Sequence, residues 1–137
     1  MNREIKFRIF DKKIGKIFKA HDLRFTAKEA VYEVCHDTIT DNGAKHWTFT
    51  DFKEVELMQY TGLKDKNGVE IYEGDIMKSL GSDICVVRWI DKLASFCLET
   101  INPTKDYDNI LSTLYMGYEY REVIGNIYEN PELLTNL

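Results

Sequence analysis

The chain has 137 residues, of which 44% are hydrophobic and 30% charged; this suits one globular domain and excludes a disordered chain. Its longest strongly apolar run, residues 84–87, is far shorter than the roughly 20 residues of a membrane span, so we expect no membrane contact. No apolar stretch follows the charged start of the sequence, so we also expect no secretory signal. The net charge of −5 is uneven: residues 1–24 hold eight Lys/Arg and three Asp/Glu, whereas the remainder holds ten and twenty.

The first predicted element is a β-hairpin at the basic end of the chain. Apolar and basic residues alternate over residues 4–10, which is the period of a half-buried strand: Ile5, Lys6, Phe7, Arg8 and Ile9. A turn with Gly15 and a return strand at residues 16–20 complete the hairpin. We expect the basic side chains of both strands to point outward together.

Residues 26–35 carry signals for a helix and for a strand. Thr26 and Glu29 match a capping box. Five residues then fall at helical spacing: Ala27, Ala30, Val31, Val34 and Cys35. The valines also favour a strand, but the capping signal leads us to predict a helix. A turn at residues 41–43 and a strand at residues 47–49 follow.

The second half of the chain is rich in short strands separated by turns. Residues 65–68 predict a tight turn, and strands are expected at residues 76–78, 84–90, 95–100 and 121–128. Gly125 predicts a bulge in the last strand. A helical turn is expected at residues 110–114, and a short terminal helix after Asn130 and Pro131. This spacing predicts a mainly β (β-rich α+β) protein with a small barrel or coiled sheets.

Candidate chemistry in the sequence is weak. Residues 65–76 do not match a calcium loop, because the glycine comes two residues too early. An acidic cluster could act as a general acid or hold a metal, although a solvated loop is the simpler interpretation: Glu70, Glu73 and Asp75. The three histidines lack metal-ligand spacing: His21, His36 and His46. The three cysteines fit free thiols: Cys35, Cys85 and Cys97. We therefore assign no catalytic, metal or cofactor-binding residue, and no cofactor.

Nucleic-acid binding is an alternative suggested by the basic hairpin. Aromatic and basic residues alternate there as in single-strand-binding surfaces: Phe7, Arg8, Phe10, Lys12, Lys16, Phe18 and Lys19. The acidic remainder of the chain opposes this interpretation, because it repels a phosphate backbone. Most of these aromatic residues also fit a hydrophobic core.

Three segments together resemble the YopX family of bacteriophage and prophage proteins. The first is Ile5-Lys6-Phe7-Arg8-Ile9-Phe10-Asp11. The second is Leu57-Met58-Gln59-Tyr60-Thr61-Gly62-Leu63-Lys64-Asp65-Lys66-Asn67-Gly68, continued by Ile71-Tyr72-Glu73-Gly74-Asp75-Ile76. The third is Val123-Ile124-Gly125-Asn126-Ile127-Tyr128-Glu129-Asn130-Pro131-Glu132-Leu133-Leu134. These segments bracket nearly the whole chain.

The resemblance implies a phage- or prophage-encoded protein with several coiled β-sheets, including an SH3-like barrel. It implies one domain over residues 1–137, with a hairpin region at about 1–56 and a signature and barrel region at about 57–137. It supplies no reaction. We expect a cytoplasmic, non-catalytic interaction module of the bacterial host cell, with a protein partner or self-association. The alternatives are a nucleic-acid-binding accessory protein and an enzyme whose site is assembled from distant residues.

Overall fold

The computed structural model describes residues 3–81, 83–101 and 110–135, and nearly all of their regular structure is antiparallel β-sheet. The mainly β class is therefore confirmed. The chain divides into two compact units: an N-terminal unit, Ile5–Gln59, and a C-terminal unit comprising the described parts of Met1–Glu4 and of Tyr60–Leu137. That the whole chain is one domain stays a prediction.

The N-terminal unit is an antiparallel sheet with strand order β4-β3-β2-β1-β5. Its strands are β1 (Phe7–Asp11), β2 (Lys16–Phe25), β3 (Val31–Ile39), β4 (Lys45–Asp51) and β5 (Val55–Lys64), of which residues up to Gln59 belong to this unit. A 3-10 turn, Phe52–Glu54, joins β4 to β5. The predicted hairpin is confirmed, with Arg8 opposite Lys19 across β1 and β2.

One side of this sheet forms a hydrophobic core. Ile9, Val34 and Val55 are almost completely buried. Partly buried apolar residues surround them: Phe18, Ala20, Leu23, Val31 and Leu57. The alternation along β1 therefore directs its side chains as the period-2 pattern predicts.

The helix predicted over residues 26–35 is wrong, because this segment forms a turn and then β3. The Thr26 hydroxyl accepts bonds from the N–H groups of Lys28 and Ala30, which closes a turn instead of starting a helix. Glu29 adopts a φ of 63° and so cannot occupy the first turn of a helix. The β-branched residues that follow pair with β2 and β4, and tertiary pairing overrides their helical spacing.

The C-terminal unit contains a five-stranded antiparallel sheet with strand order β10-β9-β8-β7-β11. Its strands are β7 (Asp75–Ser79), β8 (Ile84–Ile90), β9 (Ser95–Thr100), β10 (Ile110–Thr113) and β11 (Arg121–Asn126), while β6 (Glu70–Tyr72) pairs with the end of β5. Its core consists of Ile71, Met77, Cys85, Val87, Leu98 and Leu114.

Most strands of this unit lie where the sequence predicts them, and the short terminal helix that begins at Pro131 is confirmed. The helical turn predicted at residues 110–114 is wrong, and so is the predicted cap of the terminal helix. Residues 110–113 form β10, and a 3-10 turn, Leu114–Met116, follows it. The terminal helix is a short 3-10 helix, Pro131–Leu134, without a side-chain cap. Asn130 does not cap it because its Oδ1 accepts the Asn126 N–H at 3.2 Å. The sequence also predicts a polar loop that begins at Asn102-Pro103 and runs through Asp108, but this segment lies outside the described residues. The SH3-like barrel stays a prediction.

The signature glycines of the sequence serve as turn residues. Gly62, Gly68 and Gly74 have φ values of 88°, 81° and 87°, a region that residues with a Cβ rarely adopt. Gly125 lies at a register shift between β11 and β7, so the predicted bulge is confirmed. These residues determine how the chain reverses direction.

Candidate functional site

The most distinctive surface of the N-terminal unit is the side of β2, β3 and β4 that faces away from its core. We call it the Trp47 face and define it by His21, Arg24, Asp37, Trp47 and Phe49. Trp47 is 68% exposed and Phe49 is 47% exposed. They lie two residues apart on β4 and so share one side of the strand. Large aromatic side chains exposed together are typical of binding surfaces.

The strand register aligns the first row of this face across three strands. Trp47 lies opposite Asp37. The His21 ring lies 5.3 Å from the Trp47 ring, and its Nε2 lies 2.6 Å from Asp37 Oδ1. A carboxylate can only accept, so His21 donates this bond. The bond lowers the pKa of Asp37, and the charge of His21 and those of Lys19 and Lys45 add to the effect.

Arg24 makes two contacts on the same face. Its guanidinium carbon lies 4.0 Å from the centre of the Phe49 ring, in the range of a cation–π contact. Its Nη1 also lies 3.9 Å from Glu33 Oε1. Arg24 therefore holds the Phe49 ring in place while its own side chain stays 49% exposed.

Cys35 lies beneath these side chains and is only 1% exposed. It faces Phe49 on β4 and Asp22 on β2 in the register. Burial raises the pKa of its thiol, and the nearby carboxylates, Asp22 first, raise it further. A buried thiol with a raised pKa is a poor nucleophile. Cys35 and its neighbour His36 point to opposite sides of β3, so they do not form a nucleophile–base pair.

A groove of about 340 Å³ lies beside His21 in the N-terminal unit. Its lining includes Lys6, which precedes β1, the first residue of β1 and residues from the middle of β2: Phe7, Lys19, His21 and Asp22. It shares His21 with the Trp47 face and carries both basic and acidic side chains. The groove is open, so it suits a side chain of a partner better than an enclosed small molecule.

The remaining histidines do not join His21. His36 is completely buried. Its Nδ1 lies 2.6 Å from the Asp37 carbonyl oxygen and its Nε2 lies 2.8 Å from Thr50 Oγ1, so both ring nitrogens have partners. His46 lies opposite Thr38 on the reverse side of β4. Among the described residues, no group of three or more His, Cys, Asp or Glu could hold a metal ion.

Glu70 and Asp75 of the acidic cluster have positions set by the local fold. Asp75 is 1% exposed, and its Oδ2 accepts the Tyr72 N–H at 2.7 Å. This bond closes the turn between β6 and β7. Glu70 lies on β6, opposite Lys64 of β5. The carboxylate of Asp75 therefore stabilises the turn. The solvated-loop interpretation of the acidic cluster is wrong for Asp75, because this side chain is buried.

The residues of the predicted nucleic-acid surface are dispersed. Lys12 Nζ donates to the Lys53 carbonyl oxygen at 3.1 Å and lies 3.3 Å from Glu56 Oε1. Arg8 Nε lies 3.4 Å from Met58 Sδ, and Phe18 packs against the core. Three other lysines are exposed: Lys13, Lys16 and Lys19. The basic charges of the hairpin are therefore not interleaved with exposed aromatic rings.

The Trp47 face does not follow from the elements that the sequence predicts. The strand predicted at residues 47–49 alternates aromatic and threonine residues, which signals one aromatic side. His21 and Arg24 lie on that side only because β3 pairs with both β2 and β4, whereas the sequence predicts a helix where β3 begins.

No helix in the described ranges is long and apolar enough to cross a membrane.

Comparison with known proteins identifies the family. The family model described as YopX protein matches residues 6–135. A curated relative, the SPbeta prophage-derived uncharacterized protein YopX of Bacillus subtilis, is 33% identical over 75 residues. That match covers 51% of this chain and 54% of the relative, so it spans about half the length of that protein.

Solved structures show the same fold over nearly the whole chain. Protein EF1440 of Enterococcus faecalis is 25% identical with a TM-score of 0.64, and the match covers 97% of this chain and 99% of that one. YopX of Bacillus subtilis is 24% identical with a TM-score of 0.58, covering 94% and 97%. With the family model matching nearly every residue, the three resembling segments are confirmed, and the chain belongs to the YopX protein family.

Proposed function

We propose that the chain is a phage- or prophage-encoded, non-catalytic module that binds another protein through the Trp47 face, in the cytoplasm of the bacterial host. The observation that carries the proposal is the 68% exposure of Trp47 beside the Arg24–Phe49 contact. Tryptophan and arginine are enriched among the residues that contribute most to protein–protein binding. The sheet beneath them holds their positions, so little order is lost on binding.

The charges of this face support a protein partner over a nucleic acid. Asp37 and Glu33 lie beside the basic side chains of His21 and Arg24. Their carboxylates repel phosphate, whereas nucleic-acid binding depends on uncompensated positive charge. Mixed charges around exposed aromatic residues are typical of the rim and centre of a protein interface.

The positions of Cys35 and Asp75 support a binding role over a catalytic one. The thiol of Cys35 is buried with a raised pKa, so it is not prepared for nucleophilic attack. Asp75, the residue around which an acidic site was considered, is buried and accepts a backbone N–H in its own turn. Both groups have structural roles that account for their positions.

The Trp47→Ser variant tests the proposal against a matched control, Tyr115→Ser. Tyr115 is 73% exposed and belongs to the C-terminal unit. A tagged chain is used to capture proteins from nuclease-treated host lysate, and the captured protein is then purified and titrated against each variant. Loss of a central aromatic anchor should weaken its binding at least tenfold, while the Tyr115 variant should bind as the unchanged chain does.

Equal binding by the two variants would show that Trp47 is not an anchor and would contradict the proposal. A complex that is captured from untreated lysate but not from nuclease-treated lysate would favour the nucleic-acid alternative. In that case binding should fall steeply with salt, and replacing four lysines with glutamate should abolish it: Lys12, Lys13, Lys16 and Lys19.

A further inference from the structure

The outer edge of β4 offers a backbone surface beside the Trp47 face. In the part of the chain that the structure describes, β4 ends the strand order, with β3 on one side and no strand on the other. The hairpin bond from Thr40 N–H to the Ala44 carbonyl oxygen, 2.9 Å long, identifies the β4 residues that bond to β3. Because bonded pairs alternate in an antiparallel ladder, these residues are His46, Thr48 and Thr50.

The alternate residues of β4 therefore direct their backbone groups outward. These residues are Lys45, Trp47, Phe49 and Asp51, and all four side chains are exposed on the Trp47 face. A row of outward N–H and C=O groups is a template for another strand. The same four residues supply both the hydrogen-bonding edge and the side chains next to it.

This row of residues is complementary to itself. An antiparallel copy of β4 aligned around Thr48 places Lys45 opposite Asp51 of the second copy, and Trp47 opposite Phe49 of the second copy. Opposite charges and paired aromatic residues are both favourable across antiparallel strands. The paired residues all have outward backbone groups, so the alignment also satisfies the hydrogen-bond pattern.

In the neighbouring registers, the charged pair and the aromatic pair of this alignment are absent. A shift of two positions in one direction pairs Trp47 with itself and Lys45 with Phe49. The shift in the other direction pairs Phe49 with itself and Asp51 with Trp47. Both leave the charged side chains opposite aromatic ones, and a shift of one position pairs outward with inward backbone groups. The alignment around Thr48 is therefore the one that the sequence of β4 favours.

We propose that two copies of the chain form a symmetric dimer by antiparallel pairing of β4 around Thr48. The proposal rests on the proposed function, since it names a second copy of the chain as a partner of the Trp47 face. The two-fold axis runs perpendicular to the sheet, so the Trp47 faces of both copies lie on the same side. Because β4 has only seven residues, the interface is smaller than a standard one, and dimerisation should be reversible and concentration-dependent.

Charge reversal on β4 provides the test, with sedimentation equilibrium as the measurement. In a dimer of the Lys45→Asp variant, the new aspartate at position 45 would lie opposite Asp51 of the second copy and repel it. In a dimer of the Asp51→Lys variant, the new lysine at position 51 would lie opposite Lys45 of the second copy and repel it. Each variant alone should dimerise roughly tenfold more weakly than the unchanged chain. A mixture of the two variants should form a 1:1 heterodimer, because every pair across the edge is again of opposite charge.

Two controls separate charge pairing from folding. Asp51 Oδ1 accepts the Lys53 N–H at 2.8 Å, so Asp51→Lys also removes a cap. The double variant Lys45→Asp, Asp51→Lys lacks the same cap but restores both charge pairs, and it should recover the homodimer. Lys28→Asp changes the charge equally at an exposed site outside β4 and should leave dimerisation unchanged.

A chain that stays monomeric at all concentrations would overturn the proposal, as would a mixture that dimerises no better than the separate variants. Either result leaves the proposed function standing if Trp47→Ser still weakens capture of another protein. Normal dimerisation with unaltered capture by Trp47→Ser would instead contradict the proposed function for other proteins while supporting the dimer.

Discussion

Replacing Asp65 with alanine should destabilise the C-terminal unit by about 3 kcal/mol, because its carboxylate closes a turn and joins that turn to another strand. Asp65 is 6% exposed. Its Oδ1 accepts the N–H groups of Asn67 and Val69 at 2.8 and 2.9 Å. Its Oδ2 accepts the N–H of Val123 on β11 at 2.9 Å. Alanine would leave all three donors without this acceptor.

Urea unfolding measured by tryptophan fluorescence can follow this unit alone. The chain has two tryptophans, one in each unit, so a Trp47→Phe background leaves Trp89 as the reporter of the unit that contains Asp65. Asp65→Asn keeps one acceptor oxygen and should lose less stability than Asp65→Ala. Asp83→Ala, at an exposed aspartate just before β8 in the same unit, should change stability by no more than about 0.5 kcal/mol. Equal effects of Asp65→Ala and Asp83→Ala would contradict the structural role of Asp65.

Replacing Gly125 with alanine should cost about 2 kcal/mol, because the bulge leaves no room for a Cβ. An added Cβ would lie 2.6 Å from Asn130 Oδ1 and 3.0 Å from Asn130 Cβ. Asn130 cannot move freely, since its Oδ1 accepts the Asn126 N–H and its own N–H donates to the Asn126 carbonyl oxygen. Making room for the new methyl group therefore disturbs the turn that follows β11.

The control for this substitution is Gly81→Ala, where the added Cβ would approach Ser79 Oγ no closer than 3.8 Å. It should be nearly neutral in the same urea measurement. The double variant Gly125→Ala, Asn130→Ala should lose less stability than the sum of its single variants, because the obstructing amide is removed. Strict additivity would show that the contact with Asn130 is not the cause.

Local chemistry made the turns of this protein predictable from sequence. Gly62, Gly68 and Gly74 have positive φ values, as glycine in a tight turn suggests. Asp65 could be assigned to its turn for the same reason, since its bonds to Asn67 and Val69 are local. Its bond to Val123 could not, because that contact crosses 58 positions of the chain.

The Trp47 face was not predictable because it depends on pairing between distant segments. Thr26 and Glu29 gave a local helix signal, yet the segment after them became β3. Only β3 brings His21 of β2 beside Trp47 of β4. Because a helix was predicted where β3 begins, the position of His21 beside Trp47 could not be inferred. The predicted strand at residues 47–49 already placed Trp47 and Phe49 on one side.

Photo-cross-linking in the bacterial host can test directly whether the Trp47 face is the binding surface. A photoreactive phenylalanine analogue replaces Trp47, Phe49 or, as a control of similar exposure, Tyr115. We expect protein adducts from positions 47 and 49, including one of twice the 16.1 kDa chain mass, and few from position 115. Adducts from position 115 with none from 47 or 49 would contradict the proposed function.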